Sequence, residues 1–306
     1  MGFADAYLLK AGLREALVEP APQADLKIIV TIPVFNESGL ERCLDSLFLS
    51  ASLSDHSQQN DDTGNSIQAE VLILINAPAD AAAEILEQNR SILLSTRTWI
   101  ESHSHPGINF HVWLDHSFGK KEAGVGTARK ILMDEAVRRF GLVDRPRGII
   151  ASMDADAVVQ QNYLETLVKH FGGDSYGDGG ATGDGGASGA GGPGRPGTAD
   201  GSGPDGCSIR FEHPLSDDSK KDDSTAGLED GRSHPPAVYE AITQYELHLR
   251  YYLQAVRHTR YPFAYHTVGS SFAVRADIYC KEGGMNRRQG GEDFYFIPVS
   301  YTHLRA

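Results

Sequence analysis

The sequence predicts an α/β protein built on a mostly parallel sheet with helices on both faces. Three observations carry this. Apolar and β-branched runs of strand length recur at 27–32, 71–75, 108–114 and 148–153, that at 71–75 apolar throughout. Each is followed by a helical pattern, and strands that are apolar throughout, rather than alternating, belong to sheets buried on both sides. Polar residues (Asn36, Glu37, Asn76, Lys120, Asp154, Asp156) gather just past the strand ends, where open parallel sheets bind ligands.

The elements follow in order. Residues 1–24 form an N-terminal extension with a weak helical pattern (Leu8, Leu9, Leu13, Ala16, Leu17) and a break at Pro20 and Pro22. The first strand, Lys27 to Ile32, is expected to end at Pro33. Ser38-Gly39-Leu40-Glu41 has the spacing of a capping box, and Leu40, Leu44, Leu47 and Phe48 continue it as a helix. A polar loop is expected at 54–66. Val71 to Ile75 is a second strand ending in Asn76, with a helix through Ala82 to Leu86. Ile108 to Leu114 is a third. After the Gly119-Lys120-Lys121 loop comes a helix from Ala123 to Phe140, then the strand Gly148 to Met153 and a helix from Asn162 to Phe171.

Residues 172–206 are dominated by glycine, with Tyr176 the only large apolar side chain. Such a segment cannot bury enough surface to offset its ordering entropy, so a disordered insert is expected. It divides a first half, 25–171, from a second, 207–296. The second half opens with a short strand at Ser208 to Phe211 and a polar stretch, Ser216 to Ser233. Val238, Ile242, Tyr245, Leu249, Tyr252, Leu253 and Val256 then keep three- and four-residue spacing, the pattern of a long amphipathic helix. A glycine-containing loop and strand follow at Thr267 to Arg275. Ile297-Pro298-Val299 interrupts the helical pattern begun at 292–296. Residues 297–306 are expected to be a non-native tail on a protein that is naturally longer.

Bulk properties limit the function. A chain of 306 residues with 40% hydrophobic content can bury one large core or two intimately packed ones. The net charge of −13 argues against a basic nucleic-acid-binding face. Cys43, Cys207 and Cys280 have no metal-ligand spacing and are expected to be reduced, buried thiols. No apolar run approaches the roughly 20 residues of a membrane span. A cytoplasmic setting is expected, with peripheral contact at the inner membrane face left open.

The chemistry starts at Asp154-Ala155-Asp156. Two carboxylates leaving a buried strand can approach one Mg²⁺ or Mn²⁺, which prefers oxygen ligands and keeps positions for substrate phosphates. Four histidines, His103, His105, His111 and His116, lie close in sequence, and the expected reading is a solvated loop.

Several motifs in order then resemble family-2 glycosyltransferases of the GT-A fold. Pro33, Phe35, Asn36 and Glu37 match the loop that holds the nucleotide base and ribose after the first strand. Asn76 stands where the family usually has a small polar or acidic residue. Lys120, Gly124 and Arg129 fall in a glycine-and-basic segment that the resemblance puts near the nucleotide. Gly269 to Arg275 resembles the acceptor-side glycine loop, and Gly290-Gly291-Glu292-Asp293 resembles the motif whose Asp is the general base. The resemblance therefore implies a nucleoside-diphosphate-sugar donor, UDP by default, and a glycan, lipid-linked or small-molecule acceptor, in a setting such as cell-envelope polysaccharide assembly. Asp154 would serve ribose and metal, Asp156 metal, and Asp293 beside Glu292 would be the base. No QxxRW motif supports a processive synthase. Two alternatives stay open: a haloacid-dehalogenase-type phosphatase with Asp154 as nucleophile, and an inactive nucleotide-sugar binder.

Overall fold

The computed structural model describes residues 2–12, 16–56, 67–120, 122–172, 203–215, 234–261, 264–266, 268–285 and 296. Its centre is a six-stranded sheet of β1 (Leu26–Val34), β2 (Gln68–Pro78), β3 (Ile108–Phe118), β4 (Ile149–Ser152), β5 (Gly206–Ser208) and β6 (Phe272–Arg275), in the order β3-β2-β1-β4-β6-β5. The first four are parallel; β6 runs antiparallel to both β4 and β5. The helices are α1 (Asp5–Ala11), α2 (Leu40–His56), α3 (Ala83–Ser102), α4 (Val125–Leu142), α5 (Tyr163–His170), α6 (Pro236–His258) and α7 (Ala276–Lys281).

Strand alternation sorts the side chains into two cores. Ile28, Val30 and Ile32 of β1 pack with α2, α3 and α5, while Ile29 packs with Leu72, Leu74 and helices α1, α4 and α7. Sequestering each such side chain contributes about 1.5–3 kcal/mol, so this two-sided burial is what holds the parallel strands together.

The first strand does not stop at Pro33. Thr31 is the last residue of β1 paired with β4, and its carbonyl accepts from Met153 N–H at 3.1 Å. Residues two apart in a strand face the same neighbour, so the Pro33 nitrogen points past the end of β4, where no donor is needed. On the other side the pairing with β2 continues through Val34. The first turn of α2 also differs from expectation. Instead of a Ser38–Glu41 box, the Glu37 carboxylate accepts the Gly39 amide at 3.1 Å.

The N-terminal segment is strapped to the sheet's second face. Val18 N–H donates to Glu135, Arg138 donates to the Val18 carbonyl, and Arg139 donates to the Pro20 carbonyl. Trp113 of β3 donates to the Leu17 carbonyl.

Much of the expected insert, 173–202, lies outside the described residues, as do 57–66 of the expected polar loop and the tail 297–306. The insert's two ends meet: Gly203 has φ 68, and a Cβ there would stand 2.7 Å from the Phe171 carbonyl oxygen. The sheet resumes before the expected boundary, since β5 begins at Gly206 and Asp205 already accepts the Arg275 amide.

α6 follows the expected spacing, but its apolar stripe is largely uncovered among the described residues. Val238, Tyr245 and Tyr252 are exposed, and Glu246 is the residue that is buried. The periodicity gave the helix correctly, not the depth of its packing.

A close contact where α4 gives way to β4 offers a stability test. A Cβ at Gly148 would lie 2.3 Å from the Phe140 ring, which is fully buried and has nowhere to move. Gly148→Ala is expected to cost about 1–3 kcal/mol in urea denaturation through overpacking.

Candidate functional site

The parallel strands deliver their C-terminal ends to one edge of the sheet. β1 ends at Val34, beyond which Phe35 stands exposed, Asn36 takes a left-handed conformation (φ 51) and Glu37 caps α2. Asparagine tolerates that conformation better than most residues, so the chain can reverse sharply from strand into helix. Pro33 itself is buried within the strand.

β4, the neighbour of β1, ends at Ser152 and leads into Asp154-Ala155-Asp156. Ala155 is buried in the core, Asp154 is partly buried and Asp156 is exposed. The Asp154 carboxylate accepts from Arg129 Nη2 at 3.0 Å; the Arg129 side chain is 4% exposed, that of Asp154 45%. No described residue forms a hydrogen bond or ion pair with Asp156. Beneath the motif lies Cys43, whose thiol donates to the Asp154 carbonyl at 3.9 Å. Burial, then the carboxylates of Asp156 and Asp154, pushes that thiol's pKa up. Cys43 is thus a buried, neutral thiol in the floor of the turn.

Arg129 comes from the second turn of α4, which begins after Gly124 at this same edge. Lys120 is exposed just past the end of β3. Asn76 departs from expectation: β2 runs on to Pro78, so Asn76 lies inside the strand and is buried. Its backbone carbonyl meets Asn89 of α3, which sequence reading did not single out. Asn89 is completely buried and joins Asn36, Asn76 and His116. The signal was available: Asn89, Ile92, Thr96 and Trp99 form the helix's buried stripe, and a polar residue on such a stripe needs partners.

The second half supplies the far side of the edge. Ser208 Oγ donates to the His266 carbonyl, and Ile209 N–H to the Ser271 carbonyl at 2.7 Å. Phe211 contacts both His213 and His266 through its ring. Glu246 of α6 accepts from the His213 amide and side chain and from Arg250. Burial opposes its ionisation, but the His213 hydrogen bonds outweigh that and hold its pKa below the usual carboxylate value. Tyr163 and Cys207 pack against the same core as Cys43, which joins β5 to the floor of the Asp154–Asp156 turn. Gly269 and Ser271 are buried, and Phe272 to Arg275 form β6. Glu292 and Asp293 lie outside the described residues.

The histidine cluster is not a solvated loop. His103 stacks on Trp99 at 4.1 Å between ring centroids, and His105 packs edge-on against Phe48. His111 lies within β3, where burial lowers its pKa. Among the described residues no three His, Cys, Asp or Glu side chains converge as a closed metal site. The two aspartates fit a different kind of site. Mg²⁺ and Mn²⁺ are commonly held by one or two carboxylates, with water and substrate phosphates completing the shell. Asp156 and the Asp154 oxygen not bonded to Arg129 would be the donors of such a site.

No helix among the described residues is long and apolar enough to cross a membrane. The three cysteines are free, Cys43 buried and the other two partly so. No protein-family model matches the sequence, and no curated protein matches it.

Proposed function

We propose that this chain is an inverting glycosyltransferase of the GT-A type. It would move a sugar from a nucleoside diphosphate, UDP favoured, to an acceptor hydroxyl, with Mg²⁺ or Mn²⁺ at Asp154 and Asp156. The observation that carries this reading is a juxtaposition: the Asp-Ala-Asp turn leaves β4 directly beside β1, whose end bears Phe35-Asn36-Glu37. A nucleotide laid along that edge meets a flat exposed ring, polar loop atoms and two carboxylates in succession. The sheet order, with four parallel strands and an antiparallel β6 beside β4, is compatible with the same family.

Each residue then has a task. Phe35 offers an apolar face to the base, while Asn36 and Glu37 offer hydrogen bonds to base and ribose. Asp154, oriented by Arg129, takes the ribose side, and Asp156 faces the diphosphate. A divalent ion bound there supplies charge neutralisation for the departing nucleoside diphosphate. The acceptor oxygen attacks the anomeric carbon as its bond to the diphosphate oxygen breaks, and that electron pair leaves with the diphosphate. Asp293, with Glu292 beside it, removes the acceptor proton; attack opposite the leaving group gives inversion. The base role rests on the sequence motif.

The phosphatase reading has less support. Three strand–helix units precede β4, and one Asp154 oxygen is engaged by a buried guanidinium, which suits a binding carboxylate better than an attacking one.

The test is Mn²⁺-dependent thermal stabilisation by a panel of nucleoside diphosphates, followed by sugar-nucleotide turnover. UDP at a hundred times its Kd is expected to stabilise the fold by about 2.7 kcal/mol. Product anomers read by NMR should show inversion. No metal-dependent nucleotide binding would sink the reading; binding without turnover would leave a pseudoenzyme or an incomplete acceptor half.

A further inference from the structure

Asn89 is buried on α3, and segments from β1, β2 and β3 meet at its side-chain amide. Its Oδ1 accepts the Asn36 backbone N–H at 3.0 Å. Its Nδ2 lies 3.5 Å from the Asn76 carbonyl oxygen and 3.3 Å from His116 Nε2. The partners fix how the amide points, because a backbone N–H only donates and a carbonyl only accepts. In that orientation Nδ2 donates to His116, so Nε2 must be the acceptor and the ring proton must sit on Nδ1. Burial and the nearby Arg90 lower the pKa of that ring, against the opposing pull of Asp115, which favours this neutral form.

Polarity here is needed by the loops and not by the helix. Asn89 shares its buried stripe with Ile92 and Trp99, where an apolar residue would serve packing equally well. What the amide provides is an acceptor for Asn36, whose left-handed backbone (φ 51) is tolerated by asparagine but still disfavoured relative to glycine.

We propose that Asn89 is a positioning residue for nucleotide binding, holding the Asn36–Glu37 loop in register with the ends of β2 and β3. The inference rests on the nucleotide-sugar reading above. Asn89 touches no substrate; it acts through the Asn36 backbone.

The experiment compares wild type, Asn89→Ala and the isosteric Asn89→Asp. It reads UDP affinity with Mn²⁺ by calorimetry, amide exchange over 35–39, and the His116 ring nitrogens by NMR. Asn89→Ala is expected to weaken UDP about tenfold, the loss of one buried hydrogen-bonding group. It should also speed exchange at Asn36 and release His116 from the Nδ1–H tautomer. Asn89→Asp keeps the acceptor for Asn36, so it should protect that amide and lose less affinity; it also reports on the loop if the alanine variant fails to fold. Wild-type UDP binding that both variants retain in full overturns the role of Asn89 alone. Absence of UDP binding by wild type removes the nucleotide reading and this role with it. Equal loss in both variants, with the Asn36 amide still protected, also overturns it.

Discussion

Replacing Glu70 by leucine is expected to destabilise the fold by about 3–5 kcal/mol, the cost of leaving a buried charge without its partner. Glu70 of β2 and Arg139 of α4 are 2% and 1% exposed and form a two-pronged ion pair, Nη2 to Oε1 at 2.6 Å and Nε to Oε2. The guanidinium's remaining arm donates to the Pro20 carbonyl at 3.0 Å, so the same cation ties the N-terminal strap to the sheet. Water cannot replace the carboxylate at this depth. A domain is stable by only about 5–15 kcal/mol, so the single change removes a large part of the total. Urea denaturation measures it. The pair itself is not expected to exceed an apolar replacement in value, because desolvating two charges offsets most of their attraction. The double variant Glu70→Leu/Arg139→Met should therefore recover most of the loss. A single-variant cost below about 1 kcal/mol would show that water reaches the cation, contrary to the burial observed.

How much of this was legible in the sequence depends on how local its cause is. β1, β2 and β4 were visible because each is buried on both faces, which writes a largely apolar run into the chain; β3 lies at the sheet's edge, mostly half-buried, and its run carries Asn109 and His111. Their ends were less visible. Pro33 stays in its strand because the neighbouring strand stops at Ser152, and that fact belongs to β4. Asn76 stays in β2 because β3 continues beside it, pairing with it at Asp115. The reading of α3 stopped at Leu86, although the helix runs to Ser102 with Asn89 and Thr96 among its buried residues. β5 has three residues, too few for periodicity to register, and starts inside the glycine-rich stretch.

The site divides in the same way. Asp154, Asp156 and the Pro33–Glu37 loop could be picked out because each sits beside its own strand end. The Arg129–Asp154 pair could not, and for Asn89 the chain shows a polar residue on an apolar stripe but not its partners, since both contacts arise where α4 and α3 meet other strand ends. A capping box was expected from Ser38 and Glu41, yet Glu37 reaches the Gly39 amide first. That substitution matters for function: a residue expected at the nucleotide is already spending one oxygen on the helix start, leaving its other oxygen for a ligand.

Asp156→Ala is expected to lower UDP-sugar turnover about a thousandfold, the equivalent of the several kcal/mol a catalytic metal ion contributes. The same variant should lose Mn²⁺-dependent UDP stabilisation while leaving the Tm of the unliganded protein nearly unchanged, because Asp156 is exposed and makes no hydrogen bond with the described residues. Asp154→Asn should behave differently. Its side chain is where the buried Arg129 guanidinium finds a carboxylate; asparagine keeps an acceptor but removes the charge, which for this half-exposed partner is expected to cost about 1 kcal/mol. That variant is expected to lose both turnover and stability, with a lowered Tm before any ligand is added. The contrast separates the two carboxylates that composition alone cannot distinguish: one is set in the fold by α4, the other is exposed to solvent, where the proposed metal and diphosphate would bind. Full turnover in Asp156→Ala would overturn the metal assignment. An equal drop in unliganded Tm for the two variants would overturn the division of labour, since it would mean that Asp156 is also held by the fold.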